Sequence, residues 1–205
     1  MINNIMLSGP DGTGKSTIID AIKKELANQN IDISIVWLRF HHYSAKIVNI
    51  IGRIFGKSYK EKYKWGQVGY HDYSGVFGKV YIFAVYLDHN IFKLFIKNKK
   101  LNHDKDYVVD RYILDIVADL IVDTKNEALV FRLFDKDIRD ELSQFDTFIL
   151  ECDIDIVISR RDDIKDDKKY TEKINAYKII SEKYNITRIN TGENSIDETV
   201  QKIIK

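Results

Sequence analysis

Cysteine and proline each occur once in this chain of 205 residues. A single thiol, Cys152, cannot close an intrachain disulfide, so the fold is no disulfide scaffold and suits a reducing compartment. Its place after Phe148-Ile149-Leu150-Glu151 reads as a buried strand end, where a thiol acts as a small apolar group. The one proline, Pro10, lies near the N-terminus and leaves every later helix uninterrupted. Charge of one sign is also missing. The net charge is +1, so no overall field draws the chain to nucleic acid or to a membrane. No apolar run approaches the roughly 20 residues that span a bilayer. The most apolar stretch, Val80 to Ile96, is broken by Asp88, His89, Asn90 and Lys93. His41 and His42 are adjacent, and His71-Asp72 and Asp88-His89 are isolated pairs, so no grouping has the spacing of a transition-metal site. No leader-like segment precedes the first apolar run, and a cytoplasmic location is expected.

What is present is an ordinary globular composition, 44% hydrophobic and 31% charged. At this length one domain over residues 1–205 is expected. Short apolar runs alternate with helical patterns. Strands are expected at 3–8, 31–39, 107–110, 147–152 and 186–190. Helices are expected at 14–29, 44–55, 80–99, 113–122, 127–134, 136–145, 154–161, 170–184 and 195–204, the last with Ser195 as its N-cap. Residues 56–79 mix glycines with Tyr59, Tyr63, Trp65, Tyr70, Tyr73 and Phe77 and read as the least regular part. So long a segment inside a domain is usually functional or mobile. It could form a base-stacking wall or a hydrophobic flap. The alternation of strand and helix implies an α/β fold with a parallel sheet covered on both faces.

The stretch that organises the chain is Gly9-Pro10-Asp11-Gly12-Thr13-Gly14-Lys15-Ser16-Thr17. It fits G-x-x-x-x-G-K-[ST], the Walker A pattern, and stands between a strand and a helix, the context that makes the pattern a phosphate site. Glycines at 9, 12 and 14 let the backbone curl around an anion. The exposed N–H groups of that curl and the following helix N-terminus hold phosphates. Lys15 is expected to reach the β- and γ-phosphates of ATP, and the Ser16 hydroxyl to ligate Mg²⁺.

Ligands of parallel sheets bind beyond the carboxyl ends of the strands. Besides the phosphate loop, Arg39, the Asp110-Arg111 pair and the region after Cys152 follow strands at that end. Arg39 closes the second strand and is a candidate for the acceptor's phosphate. Asp110-Arg111-Tyr112 follows the third; its aspartate suits the Mg²⁺ shell or the acceptor, its arginine a bidentate grip on phosphate. Asp115 and Asp119 share a helix face just beyond. The charged run from Arg160 to Lys169 has the composition of a mobile lid that excludes water and brings Arg160 or Arg161 onto the transferring phosphoryl group.

Together these residues resemble the thymidylate kinase family of nucleoside monophosphate kinases. The markers are the glycine-lysine stretch, Val108-Val109-Asp110-Arg111-Tyr112, and the span from Tyr177 through Ile189-Asn190-Thr191 to Ser195-Ile196-Asp197-Glu198. The resemblance implies the P-loop NTPase fold with a five-stranded parallel sheet, and transfer of the ATP γ-phosphate to dTMP with Mg²⁺. It implies ATP contacts from Gly9, Asp11, Gly12, Thr13, Gly14, Lys15, Ser16 and Thr17, with Asp11 facing the acceptor sugar. It implies Asp110 and Arg111 at the acceptor, and homodimers packed through helices. Gly12 stands where some members carry a catalytic arginine, which points to Arg160 and Arg161 in the lid. The family's Phe-x-x-x-Arg, whose phenylalanine stacks on the base, is matched here by Phe83 with Leu87 four residues on, so the arginine is missing. Asp115 and Asp119 stand where small or amide residues read thymine; carboxylates there favour hydrogen-bond donors such as amino groups. These departures keep two alternatives open: a kinase of the same fold with another nucleotide, nucleoside or small acceptor, and a nucleotide-binding protein with little transfer activity.

Overall fold

The computed structural model describes residues 4–38, 43–64, 66–97, 101 and 106–204. Five strands form one parallel sheet: β1 (Ile5–Ser8), β2 (Ile33–Trp37), β5 (Asp106–Asp110), β6 (Asp146–Glu151) and β7 (Thr187–Asn190), in the order β2-β5-β1-β6-β7. The register sets Leu7 beside Asp110 on one side and Phe148 on the other. The end of β1 therefore lies centrally, with the ends of β5 and β6 flanking it. Alternation along the strands divides the core. Ile5, Leu7, Val108, Leu150 and Ile189 pack under α1 (Lys15–Asn28), joined by Val200 and Ile203 from the last helix. Met6, Val109 and Ile149 face the opposite layer. That layer holds α2 (Ser44–Ile54), α3 (Gly75–Phe92), α4 (Ile113–Thr124), α5 (Glu127–Leu142) and α7 (Tyr170–Tyr184). The chain is completed by α6 (Ile154–Arg160) and α8 (Ile196–Ile203). Ser195 caps α8: its hydroxyl accepts the Glu198 N–H at 3.2 Å, and the Glu198 carboxylate accepts the Ser195 N–H at 2.8 Å. No helix among the described residues is long and apolar enough to cross a membrane.

Three expectations are corrected. Residues 56–79 are largely regular. An antiparallel hairpin, β3 (Ser58–Tyr63) and β4 (Gly66–His71), fills most of the span, with Tyr59 opposite Tyr70 at a ring separation of 5.7 Å. Its strands are polar and part-exposed on both faces, so the apolar signal of a strand is weak there. Next, α3 begins at Gly75 rather than Val80. Gly78, which reads as a breaker, allows a close approach: a Cβ there would lie 2.2 Å from the Tyr73 carbonyl oxygen. Finally, the helices expected at 127–134 and 136–145 are one helix, and Asp135 pairs along it with Arg139 at 2.9 Å.

Asp88 orients α2 from a distance. Its buried carboxylate, on α3, accepts the backbone N–H groups of Tyr43 and Ser44, each at 2.9 Å, and of Ala45 at 3.0 Å. It also takes the Ser44 hydroxyl. These are donors that a helix N-terminus leaves unsatisfied, here capped by another helix. Replacing Asp88 with Ala strands them, and loss of a cap together with buried hydrogen bonds costs about 2–3 kcal/mol. Urea unfolding of D88A should show a loss of that size; a change below about 0.5 kcal/mol, the range of inert surface changes, contradicts this role.

Candidate active site

The loop between β1 and α1 turns tightly, with positive φ at Gly9, Gly12 and Gly14. Gly9 has φ +141°, and a Cβ there would sit 2.2 Å from the Leu150 carbonyl oxygen, so only glycine fits between the loop and β6. No side chain caps α1, whose N-cap is Gly14. Its first N–H groups are thus left to an anion, as phosphate-binding helices require. Lys15 is buried and turns back across the loop, donating to the Gly9 and Pro10 carbonyl oxygens at 2.6 Å each. Burial, helped by the nearby Arg111 charge, lowers its pKa from 10.5 to about 8. Thr13 donates to Pro10 O at 3.0 Å, while Ser16 and Thr17, in the first turn of α1, are exposed.

Two tyrosines and a threonine that the sequence did not single out support this loop or its neighbour. The Tyr170 hydroxyl, at the start of α7, donates to the Asp11 carbonyl oxygen at 2.7 Å. Thr191, just past β7, donates to the Thr13 carbonyl oxygen at 2.8 Å. The Tyr177 hydroxyl donates to Asp115 Oδ1 at 2.7 Å. Tyr177 and Thr191 appeared only as markers of the family resemblance, without a role, and Tyr170 carried no such signal.

Asp110 and Arg111 reach the loop from β5. Arg111 has a left-handed backbone, φ 59°, and its N–H bonds Leu7 O at 3.1 Å. That bend aims the guanidinium at the Asp11 carboxylate, with which it pairs. Burial opposes the charge on Asp11, but Arg111 outweighs it, aided by Lys15 and Lys173, and the pKa falls to about 2. Burial likewise opposes the charge on Arg111, and the Asp11 and Asp115 carboxylates more than offset it, so its pKa rises. Asp110 Oδ1 is buried without a hydrogen-bond partner, and burial raises its pKa. Asp115 is less free than its position in the sequence suggests. Its carboxylate accepts Ser8 Oγ at 2.8 Å, the Tyr112 N–H at 3.2 Å and Tyr177 at 2.7 Å. It ties β1, α4 and α7 together at the edge of the site, and burial raises its pKa.

Beyond Arg111 a cavity of about 270 Å³ opens between α4, α3, the hairpin and the start of α7. Asp119 and Asp123 line it from α4, Tyr70 and His71 from β4, and Lys169 and Lys173 from the other side. A smaller cleft of about 90 Å³ at Gly9, Pro10 and Asp11 shares Arg111, Asp115, Asp119 and Lys173 with it. On α3 the lining residues are Tyr81 and Val85; Phe83, 52% exposed, is not among them. Phe83, expected at the acceptor, thus lies off this cavity. Residues four apart share a helix face, while one midway between them points roughly 160° away. Arg39, like His41 and His42, lies outside the described residues.

The charged run after α6 forms a short 3₁₀ turn at Asp162–Asp166. Its two arginines part company. Arg161 lies beside the phosphate loop, with its Cδ 3.7 Å from where a Gly12 Cβ would be, and pairs with Asp163 at 3.0 Å. Arg160 turns toward the end of β7, donating to the Thr191 carbonyl oxygen at 3.4 Å and to Cys152 Sγ at 3.7 Å. The run is clasped to the hairpin. Lys168 pairs with Glu61 at 2.6 Å, Lys169 bonds the His71 carbonyl and pairs with Asp123 at 2.8 Å, and Tyr70 donates to the Asp166 carbonyl oxygen at 3.3 Å. Burial raises the Asp123 pKa to about 6 in spite of that lysine.

No family model matches this chain, and no curated protein matches it. Among solved structures it is similar to the thymidylate kinase from Ehrlichia chaffeensis, at 15% identity and a TM-score of 0.53, over 99% of this chain and 98% of that one. The likeness shows the fold. It is the P-loop NTPase fold of a thymidylate kinase, an α/β architecture with a five-stranded parallel sheet flanked by helices.

The low pKa of Lys15 has a consequence for binding. A phosphate needs the ammonium form, so above the free-state pKa each binding event must take up a proton. Affinity for an ATP analogue should be flat below pH 8 and fall by up to about tenfold per pH unit above it. Calorimetry on the wild type and on Lys15→Arg, whose guanidinium stays charged, checks this. The same decline in both proteins would assign it to another group.

Proposed function

We propose that this chain is an ATP-dependent phosphotransferase of thymidylate-kinase type, a single catalytic unit that moves the γ-phosphate of ATP to dTMP. The observation that carries this reading is the shared boundary of the two clefts. The phosphate loop opens directly into a cavity of nucleoside size, with Arg111 and Lys173 on both. In-line transfer needs a donor phosphate and an acceptor held end to end at such a junction.

The loop N–H groups and Lys15 hold the β- and γ-phosphates. Binding draws Lys15 away from the Gly9 and Pro10 carbonyls, and its charge then offsets that building on the transferring group. The acceptor phosphate oxygen attacks the γ-phosphorus and ADP departs. The acceptor is already an anion, so no strong general base is required. The residues present fit Mg²⁺: Asp110 offers a buried carboxylate oxygen without a partner, and Ser16 an exposed hydroxyl at the start of α1. Together they would hold the ion, which would supply positive charge to offset that of the phosphates. Arg161 is the lid arginine placed to reach the phosphates, once it leaves Asp163.

A second reading, the same donor chemistry with a different acceptor, is favoured by Asp119 and Asp123 on the cavity wall. Carboxylates accept hydrogen bonds, and amino groups donate them. A thermal-shift screen with Mg²⁺, a non-hydrolysable ATP analogue and each nucleoside monophosphate separates the two, since a ligand of the native state raises Tm. The largest shift with dTMP supports the first reading; a larger one with an amino-bearing base supports the second. Lys15→Ala should cut turnover at least about a hundredfold, the scale for loss of one charge-stabilising group. Undiminished turnover in that variant would end the assignment.

A further inference from the structure

The cations at the two clefts are unequally engaged. Lys15 bonds carbonyls of its own loop, Arg111 pairs with Asp11, and Lys169 is held by Asp123 and the His71 carbonyl. Lys173, one turn into α7, differs. Its ion pair is with Asp119 Oδ1 at 3.8 Å, too long for a hydrogen bond, and its ammonium makes no hydrogen bond among the described residues. Its side chain, 29% exposed, lines both the phosphate-loop cleft and the larger cavity. On α3, where the family resemblance led to an arginine for the acceptor, the cavity-lining residues are Tyr81 and Val85, neither of them a cation.

We propose that Lys173 holds the phosphate of the acceptor, so that α7 supplies the positive charge missing from α3. This rests on the phosphotransferase reading and deepens it, for it specifies a phosphorylated acceptor rather than a free nucleoside. Position supports the assignment. An acceptor with its base in the large cavity and its phosphate toward the loop passes the shared boundary, where Lys173 stands. Charge supports it too. Burial disfavours the ammonium, yet Asp119, Asp167, Asp11 and Asp123 outweigh burial and raise its pKa, so Lys173 enters binding charged. Asp119 holds it at the boundary without consuming its donors. The three hydrogens of an ammonium remain for phosphate oxygens. Lys173 is thus a binding and specificity residue, set apart from Lys15, which serves the donor.

The test is calorimetric titration of dTMP, dCMP, dAMP and dGMP, each beside its own nucleoside, into the wild type, Lys173→Ala and Lys173→Arg. In the wild type the best monophosphate should bind at least about tenfold more tightly than its nucleoside, a ratio of one charge-assisted contact. Lys173→Ala should erase that difference while leaving nucleoside affinity in place, and Lys173→Arg should restore most of it. Equal affinity of nucleoside and monophosphate in the wild type overturns the proposal. So does an equal loss for both ligands in Lys173→Ala, which would mark the lysine as structural. Failure of every monophosphate to bind also overturns it. In that case binding of an ATP analogue by the wild type reports separately whether the donor half of the proposed function stands.

Discussion

Lys15 turned back onto the carbonyls of Gly9 and Pro10 is the contact around which the rest is arranged. A loop that presents its N–H groups to an anion points several carbonyls the other way, and those need partners or the loop collapses. Lys15 takes two of them. Tyr170 takes the Asp11 carbonyl and Thr191 the Thr13 carbonyl, from elements more than a hundred residues away in sequence. Arg111 fixes the Asp11 side chain. The parallel sheet makes this convergence possible, because β1 lies between β5 and β6 and the chain leaves all three at one edge.

Around the larger cavity the dominant constraint is charge balance. Asp115, Asp119, Asp123 and Asp167 face Arg111, Lys169 and Lys173 around one cavity. Ion pairs in such a place gain little net stability once desolvation is counted. They do fix where polar groups point. Asp115 is spent on Ser8, Tyr112 and Tyr177, and Lys169 on the clasp between hairpin and lid segment. Lys173 is held more loosely and faces the cavity. The hairpin completes the wall, and through Glu61 and Tyr70 it is bonded to the same segment that carries Arg161. The wall of the larger cavity and the segment beside the phosphate loop are thus joined by direct contacts.

The loop between β1 and α1 was legible because its signals are local. A glycine pattern between an apolar run and a helical one needs no distant information, and Ser195 with Glu198 announces a helix start in four residues. The five sheet strands were legible as short runs between helical patterns, although Ile35 and Trp37 in β2 and Thr187 and Arg188 in β7 are exposed. The hairpin was not, because Lys60, Glu61 and Lys62 in β3 and Gln67 in β4 hide the alternation. The phase of α3 was not either. An almost wholly apolar helix offers Phe83 and Tyr81 as equal candidates, and only its packing against α4 and the hairpin selects Tyr81. Asp115 was visible, but its three donors come from β1, α4 and α7. Lys173 was invisible as a site residue because a lysine near Lys168, Lys169 and Glu172 looks like a solvated helix face.

The central claim is that a phosphoryl group passes from the loop to a ligand in the neighbouring cavity. It is tested most directly with ATP labelled at the γ-phosphate, incubated with the protein, Mg²⁺ and each nucleoside monophosphate, followed by separation of the products. The structure predicts label in the β-position of one nucleoside diphosphate, formed at the rate at which ADP appears. Label found solely in ATP or in inorganic phosphate, whichever acceptor is supplied, would contradict it.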